Sequence, residues 1–145
     1  MPRITSLEDS AIKPNVGIYS YASNGSRNIV GQFEFDVSSF RDPLGQKQFL
    51  TKSSGIDPEV RDWVGQDHRV PILIKECRML AEDLIRHKKD GQAAPSTWLS
   101  FSFKDFHGKW ISPAVAELVA DELSNAGFMV TVYHSAIKKD GIVRG

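Results

Sequence analysis

The chain has 145 residues and carries 18 basic and 18 acidic side chains, a length that suits one domain with a buried core. This balanced charge excludes a global field that would hold nucleic acid or an acidic membrane, although it allows a local patch. A single cysteine excludes an internal disulfide and fits a reducing compartment. No segment is long and apolar enough to span a bilayer, and residues 1–10 have no signal-peptide core, so we expect a cytoplasmic protein.

The first half of the chain contains two predicted strands and one long loop. Residues 1–15 predict a flexible segment, which ends at Pro14 and Asn15, two residue types that mark turns and loops. Residues 16–22 predict the first strand, and residues 32–37 alternate apolar and polar side chains as a second strand does. Residues 38–56 have no periodicity, which indicates a binding loop or a solvated one. The loop carries donors suited to phosphate, namely Arg41, Lys47, Lys52 and several hydroxyls.

Two helices follow the long loop. Asp57 as N-cap and Pro58 at the first helical position predict a short helix that continues to Val64. Residues 70–89 have apolar side chains three and four positions apart, which predicts a long amphipathic helix. The basic run Arg86–Lys89 lies in its last turn, where it either caps the helix dipole or contacts RNA.

The last part of the chain reads as strand, loop, helix and strand. Residues 97–103 alternate as a strand does. Ser112 as a hydroxyl N-cap and Pro113 at the first helical position predict the start of a helix, and Gly127 predicts its end as a left-handed C-cap. Residues 129–133 predict another strand, and a crossover of this length joins parallel strands. We therefore predict an α/β fold with a small, mostly parallel four-stranded sheet and flanking helices. The domain spans residues 16–139, and residues 140–145 form a flexible tail.

The loop between the third strand and the following helix is the first candidate site. It lies at the carboxyl end of a strand and the amino end of a helix, where open α/β sheets bind ligands and free amides favour anions. A plain surface connection has the same position, so placement alone leaves both interpretations open. His134 ends the last strand and is expected at the same edge. The candidate residues of the loop are Lys104, Phe106, His107, Gly108, Lys109, Trp110 and Ser112.

Motifs of established enzyme chemistry are missing from the sequence. It contains no Walker loop, dinucleotide fingerprint, zinc spacing or nucleophile elbow. Asp105 and His107 are a conceivable acid–base pair, but nothing identifies a nucleophile. We therefore expect a protein that is not an enzyme and that holds neither a metal nor a cofactor.

Several short motifs occur in an order that resembles a known family. They are Phe35-Asp36-Val37, Ser54-Gly55-Ile56-Asp57, Ala116-Glu117 and Tyr133-His134. In this order and spacing, residues 16–139 are similar to the C-terminal domain of RapZ, the RNase adapter protein, without its nucleotide-binding kinase-like half. The resemblance implies an α/β fold, recognition of an amino-sugar phosphate, contacts with small RNA and a two-component regulator, and homo-oligomerisation through this domain.

The phosphate-cradling loop of that family reads Gly-Cys-Thr-Gly-Gly-x-His-Arg-Ser, and here only part of it is matched. Gly108 and Ser112 occupy matching positions, whereas Asp105, Trp110 and Ile111 stand where the family has cysteine, histidine and arginine. The aromatic rings of the loop then either stack on a base or sugar or fill the core. Positive charge for a ligand comes from Lys104, Lys109 or Arg41.

The leading hypothesis is a non-catalytic domain that binds a phosphorylated small molecule, either a sugar phosphate or a nucleotide. The ligand would lie between residues 104–112, His134 and the long loop. Within the long loop, the candidate contacts are Arg41, Ser54 and Gly55. The alternative is an adaptor for RNA or for a protein partner whose ligand site has decayed. Trp110 and Arg86–Lys89 would then form the contact.

Overall fold

The computed structural model describes residues 15–25, 30–40, 54–89 and 98–137, without the side chains of residues 84–89 and 98. Several predictions therefore concern residues outside this part of the chain. They are the flexible ends, the Arg41 contact, most of the long loop and the side chains of the basic run Arg86–Lys89.

The described part contains four strands and three helices, in the predicted order. The strands are β1 (Asn15–Ala22), β2 (Phe33–Asp36), β3 (Trp98–Asp105) and β4 (Met129–His134), and the helices are α1 (Pro58–Gly65), α2 (Arg69–Lys89) and α3 (Ile111–Asn125). The sheet has the order β2-β3-β1-β4, and every pair among these strands is parallel. The predicted α/β class with a small four-stranded sheet is confirmed.

Helix α3 is the centre of the molecule. It packs on β1, β3 and β4, while α1 and α2 pack on α3. Ten of its fifteen residues are buried, because it is covered by the sheet on one side and by helices on the other. The core between sheet and helices contains mainly aliphatic and phenylalanine side chains, among them Val16, Ile18, Phe101, Phe103, Val115, Val119, Leu123, Val130 and Val132.

The end of α3 agrees with the prediction, whereas its start differs. Gly127 has φ 101°, and its N–H and that of Phe128 donate to the carbonyls of Ser124 and Leu123, which is a Schellman C-cap. At the other end the helix begins at Ile111, with Trp110 at the N-cap position. The prediction that Ser112 caps the helix with its hydroxyl is therefore wrong, because this residue already lies in the first turn.

The start of helix α1 also differs from the prediction. Pro58 occupies the first turn as predicted, but Asp57 makes no side-chain capping bond. Its carboxylate instead accepts a hydrogen bond from the backbone N–H of Ser54, at 2.8 Å. Asp57 thus fixes the segment that enters the helix, and this segment also reaches the candidate site.

The face of the sheet opposite the helices is crossed by residues 30–32. The backbone N–H groups of Gly31 and Gln32 donate to the hydroxyls of Ser102 and Ser100 on β3, at 3.0 and 2.9 Å. Both serines are buried, although their alternation with large apolar residues in the sequence is typical of a solvated face. The short chain segment above them satisfies their hydrogen bonds in place of water.

Candidate functional site

The 104–111 loop leaves β3 at the carboxyl edge of the sheet and enters α3. The ends of the two neighbouring strands fix it through backbone hydrogen bonds. Ser23 N–H donates to the carbonyl of Asp105 at 2.8 Å, and Val37 N–H donates to that of Lys104 at 2.9 Å. The sheet thus holds the loop at the position predicted from the strand–helix order.

Asp105 lies at the centre of this loop and is only 3 % exposed. One carboxylate oxygen accepts the backbone N–H of Gly108 and the other that of Ser112, each at 2.6 Å. Charge-assisted bonds of this length are strong, and a negative charge is favourable at the N-terminus of α3. The amides that we expected to receive a ligand anion therefore bind a carboxylate of the chain itself.

Two glycines allow the backbone of the loop to pack this closely. Gly108 has φ +68°, and a Cβ atom there would lie 2.7 Å from the backbone nitrogen of Ala22. Gly55 donates its N–H to the carbonyl of Lys109 at 2.8 Å, and a Cβ atom there would lie 2.3 Å from the carbonyl oxygen of Trp110. Gly55 thus packs closely against the backbone of the loop, and its predicted contact with a ligand stays a prediction.

The aromatic side chains of the loop divide into a buried and an exposed group. Trp110 is 8 % exposed and belongs to the hydrophobic core, whereas Phe106 is 56 % exposed. The imidazole of His107 meets both rings edge-on, with centroid distances of 5.0 Å to Phe106 and 5.8 Å to Trp110. The ammonium group of Lys109 lies 5.1 Å from the centroid of the Trp110 ring. Phe106 is consequently the ring that is open to a ligand.

His134 reaches the carboxyl edge as predicted, but it is 1 % exposed. Its Nε2 lies 2.8 Å from a carboxylate oxygen of Glu117, and its Nδ1 lies 2.6 Å from the hydroxyl of Ser20. In the neutral tautomer that fits this network, Nε2–H donates to Glu117 and Nδ1 accepts from Ser20. The guanidinium of Arg61 extends the network, 3.8 Å from Glu117.

The Ser20–His134–Glu117 network has the connectivity of a catalytic triad. Ser20 is completely buried, so no substrate reaches its hydroxyl in this conformation. The network instead joins β1, β4 and α3 in the core. The sequence alone does not identify Ser20, which only the register of β1 against β4 places beside His134. Glu117 is indicated there only within the Ala116-Glu117 motif, without a role at the site.

Lys104 has acidic neighbours on the outer strand. It lies in register with Asp36 on β2 and with Tyr21 on β1. Hydrogen bonds from Ser38, helped by the charge of Lys104, hold the pKa of Asp36 below its ordinary value. Burial, with a hydrogen bond to the carboxylate of Glu34, raises the pKa of Tyr21 to about 12. The positive charge of Lys104 is thus partly matched within the chain.

The residues that the structure describes bring together no group of three histidine, cysteine, aspartate or glutamate side chains that could hold a metal ion. In the same part of the chain, no helix combines the length and the apolar character needed to cross a membrane.

Comparison with known proteins agrees with this fold and with the resemblance in the sequence. The family model of the RapZ C-terminal domain matches residues 14–138. The nucleotide-binding protein ZMO1325 of Zymomonas mobilis is 29 % identical over 133 residues, which are 90 % of this chain and 39 % of that protein. The chain thus spans about two fifths of the length of this relative. With its parallel sheet and the matched range, the chain belongs to the RapZ C-terminal domain family.

Proposed function

We propose that this chain is a non-catalytic binding domain for a nucleotide, which it holds at the carboxyl edge of the sheet. The observation that carries the proposal is the exposed ring of Phe106 at the end of β3, which contacts His107 edge-on in the same loop as Lys109. An exposed aromatic ring at this edge of a parallel sheet is suited to stacking on a base. The ammonium group of Lys109 is suited to the phosphate.

The relative from Zymomonas mobilis supports the same ligand class, because it is named as a nucleotide-binding protein. That name describes a protein of which this chain matches 39 %, so it does not by itself assign nucleotide binding to this domain. The side chains of the 104–111 loop supply the independent support. A sugar phosphate fits less well, because its main requirement is a phosphate cradle and Asp105 occupies the cradle amides.

Burial of the Ser20–His134–Glu117 network supports binding without chemistry. Its hydroxyl and imidazole are enclosed in the core, whereas the exposed Phe106 lies at the surface of the loop. A nucleotide stacked on Phe106 therefore meets no activated nucleophile among the groups described at this edge.

Calorimetric titration of the folded protein with purine and pyrimidine nucleotides tests the proposal, with sugar phosphates as the comparison. Phe106→Ala is expected to weaken binding by about tenfold or more, because stacking on one base contributes about 1–3 kcal/mol. Ile72→Ala is the matched control, since Ile72 is 63 % exposed on α2, away from the loop. Absence of binding by every nucleotide, or equal affinity in Phe106→Ala, would refute it.

A protein-binding adaptor is the second candidate function. It is favoured by Ile72 and Met79, two exposed apolar side chains about two turns apart on α2. The same two variants separate the candidates, because nucleotide binding depends on Phe106 and an adaptor contact of this kind depends on Ile72.

A further inference from the structure

The Asp105 carboxylate occupies the position that a bound oxyanion would take at the start of α3. Each of its oxygens accepts one backbone N–H, from Gly108 and from Ser112, and both distances are 2.6 Å. The hydroxyl of Ser112 is also buried, and it has no hydrogen-bond partner within the described residues. The carboxylate thus accepts from two backbone N–H groups of the cradle, whereas the hydroxyl of Ser112 remains without a partner among the described residues.

We infer that Asp105 is a built-in anion that excludes external phosphate from this cradle and thereby determines the ligand class of the domain. A second negative group at the same amides would meet the buried charge of Asp105 at close range, which is strongly unfavourable. This part rests on the proposed function: the carboxyl edge of the sheet recognises the nucleoside part of its ligand. The phosphate then contributes only a surface contact with Lys109.

The surrounding backbone holds the carboxylate in place. The carbonyl of Asp105 is bonded to the N–H of Ser23, which fixes the residue at the end of β3. Gly108 lies against the backbone of Ala22, with no space for a Cβ atom between them. While no ligand is bound, moving the carboxylate away would leave two buried amides without acceptors, so the closed arrangement is the stable one in the free protein.

Three proteins titrated with inorganic phosphate test the exclusion without any nucleotide. Asp105→Ala removes both the charge and the filling group, whereas Asp105→Asn removes the charge and keeps the cradle filled. We expect millimolar phosphate to raise the Tm of Asp105→Ala by roughly 3 °C or more, and to leave wild type and Asp105→Asn unchanged. Equal stabilisation of wild type, an unresponsive but folded Asp105→Ala, or an equal response of Asp105→Asn would each overturn the inference.

A measurement on the wild-type protein covers the case in which Asp105→Ala does not fold. In amide NMR spectra, the signals of Gly108 and Ser112, whose N–H groups donate to Asp105, are expected to stay in place when phosphate is added at neutral pH. Phosphate-dependent shifts of both signals would contradict the built-in anion.

The ligand class is tested by comparing a nucleoside with its monophosphate. In wild type we expect their affinities to differ by less than about tenfold. In Asp105→Ala, or in Asp105→Gly if alanine is not tolerated, the monophosphate is expected to gain about tenfold or more while the nucleoside is unchanged. A wild-type preference for the monophosphate above a hundredfold would overturn this part. Failure of both compounds to bind, with the phosphate experiment as expected, would refute the proposed function and leave the exclusion standing.

Discussion

Replacement of His134 by alanine is expected to destabilise the fold strongly and to act through the core. The imidazole joins Ser20 at 2.6 Å and Glu117 at 2.8 Å, and all three side chains are buried. An orphaned buried hydroxyl costs about 1–3 kcal/mol, and a lost bond to a charged acceptor about 1.5–3 kcal/mol. The vacated ring volume adds a cavity cost. Because Arg61 still lies near Glu117, we expect a loss of about 3–5 kcal/mol in the free energy of unfolding.

Urea unfolding of the wild type and four variants measures this cost and the coupling within the network. His107→Ala is the matched control, because this exposed histidine is expected to change stability by less than about 0.5 kcal/mol. Ser20→Ala alone is expected to cost about 1–2 kcal/mol. The Ser20→Ala/His134→Ala double variant should cost at least about 1 kcal/mol less than the sum of its singles, since the orphaned hydroxyl is gone. A cost of His134→Ala below about 1 kcal/mol, or strict additivity, would refute the reasoning.

Three other predictions concern the backbone and the buried titrating groups. Gly108→Ala should lower the free energy of unfolding by about 2 kcal/mol or more, measured in urea, because its Cβ would overlap the backbone of Ala22 at φ +68°. Burial raises the pKa of Tyr21 from its ordinary value of 10.0 to about 12, so the folded state holds the phenolic proton more tightly. Stability should therefore be unaffected by this group below pH 10 and fall by about 2–3 kcal/mol as pH rises from 10 to 12, a loss absent in Tyr21→Phe. Burial raises the pKa of the Cys77 thiol. We therefore expect this thiol to react with a thiol reagent only as fast as the protein unfolds. A reaction rate that does not change with urea concentration would contradict this prediction.

The elements that could be predicted from the sequence are those encoded by local patterns. Alternation identified the strands, apolar spacing identified the helices, and Gly127 marked the end of α3 because a left-handed residue is needed there. The parallel sheet followed from the length of the crossover between β3 and β4. Each of these inferences needs only neighbouring residues, so chain order was sufficient.

The candidate site could be placed but not described from the sequence. The sequence predicts that the loop at the end of β3 binds an anion, and the group that binds its amides is the carboxylate of Asp105, which the sequence indicates only as an acid and as a departure from the family loop. Whether a carboxylate turns back onto amides three and seven residues later depends on the backbone path set by Gly108. The burial of His134 also depends on residues that are distant in the sequence. It follows from the register of β4 against β1 and from the contact with Glu117 on α3.

The position of Asp105 explains how a cradle can persist without the ligand that cradles usually hold. Amides at a helix N-terminus need an acceptor when they are buried, and a site that relies on a bound phosphate leaves them to solvent whenever the ligand is absent. A carboxylate in the same loop is always present, and it accepts from these amides within the chain instead of from solution. This arrangement makes the start of α3 independent of ligand, and under the proposed function it leaves recognition to exposed side chains such as Phe106. Substitution of Phe106 is then expected to alter ligand binding without loss of stability, whereas substitution of Asp105 is expected to affect both.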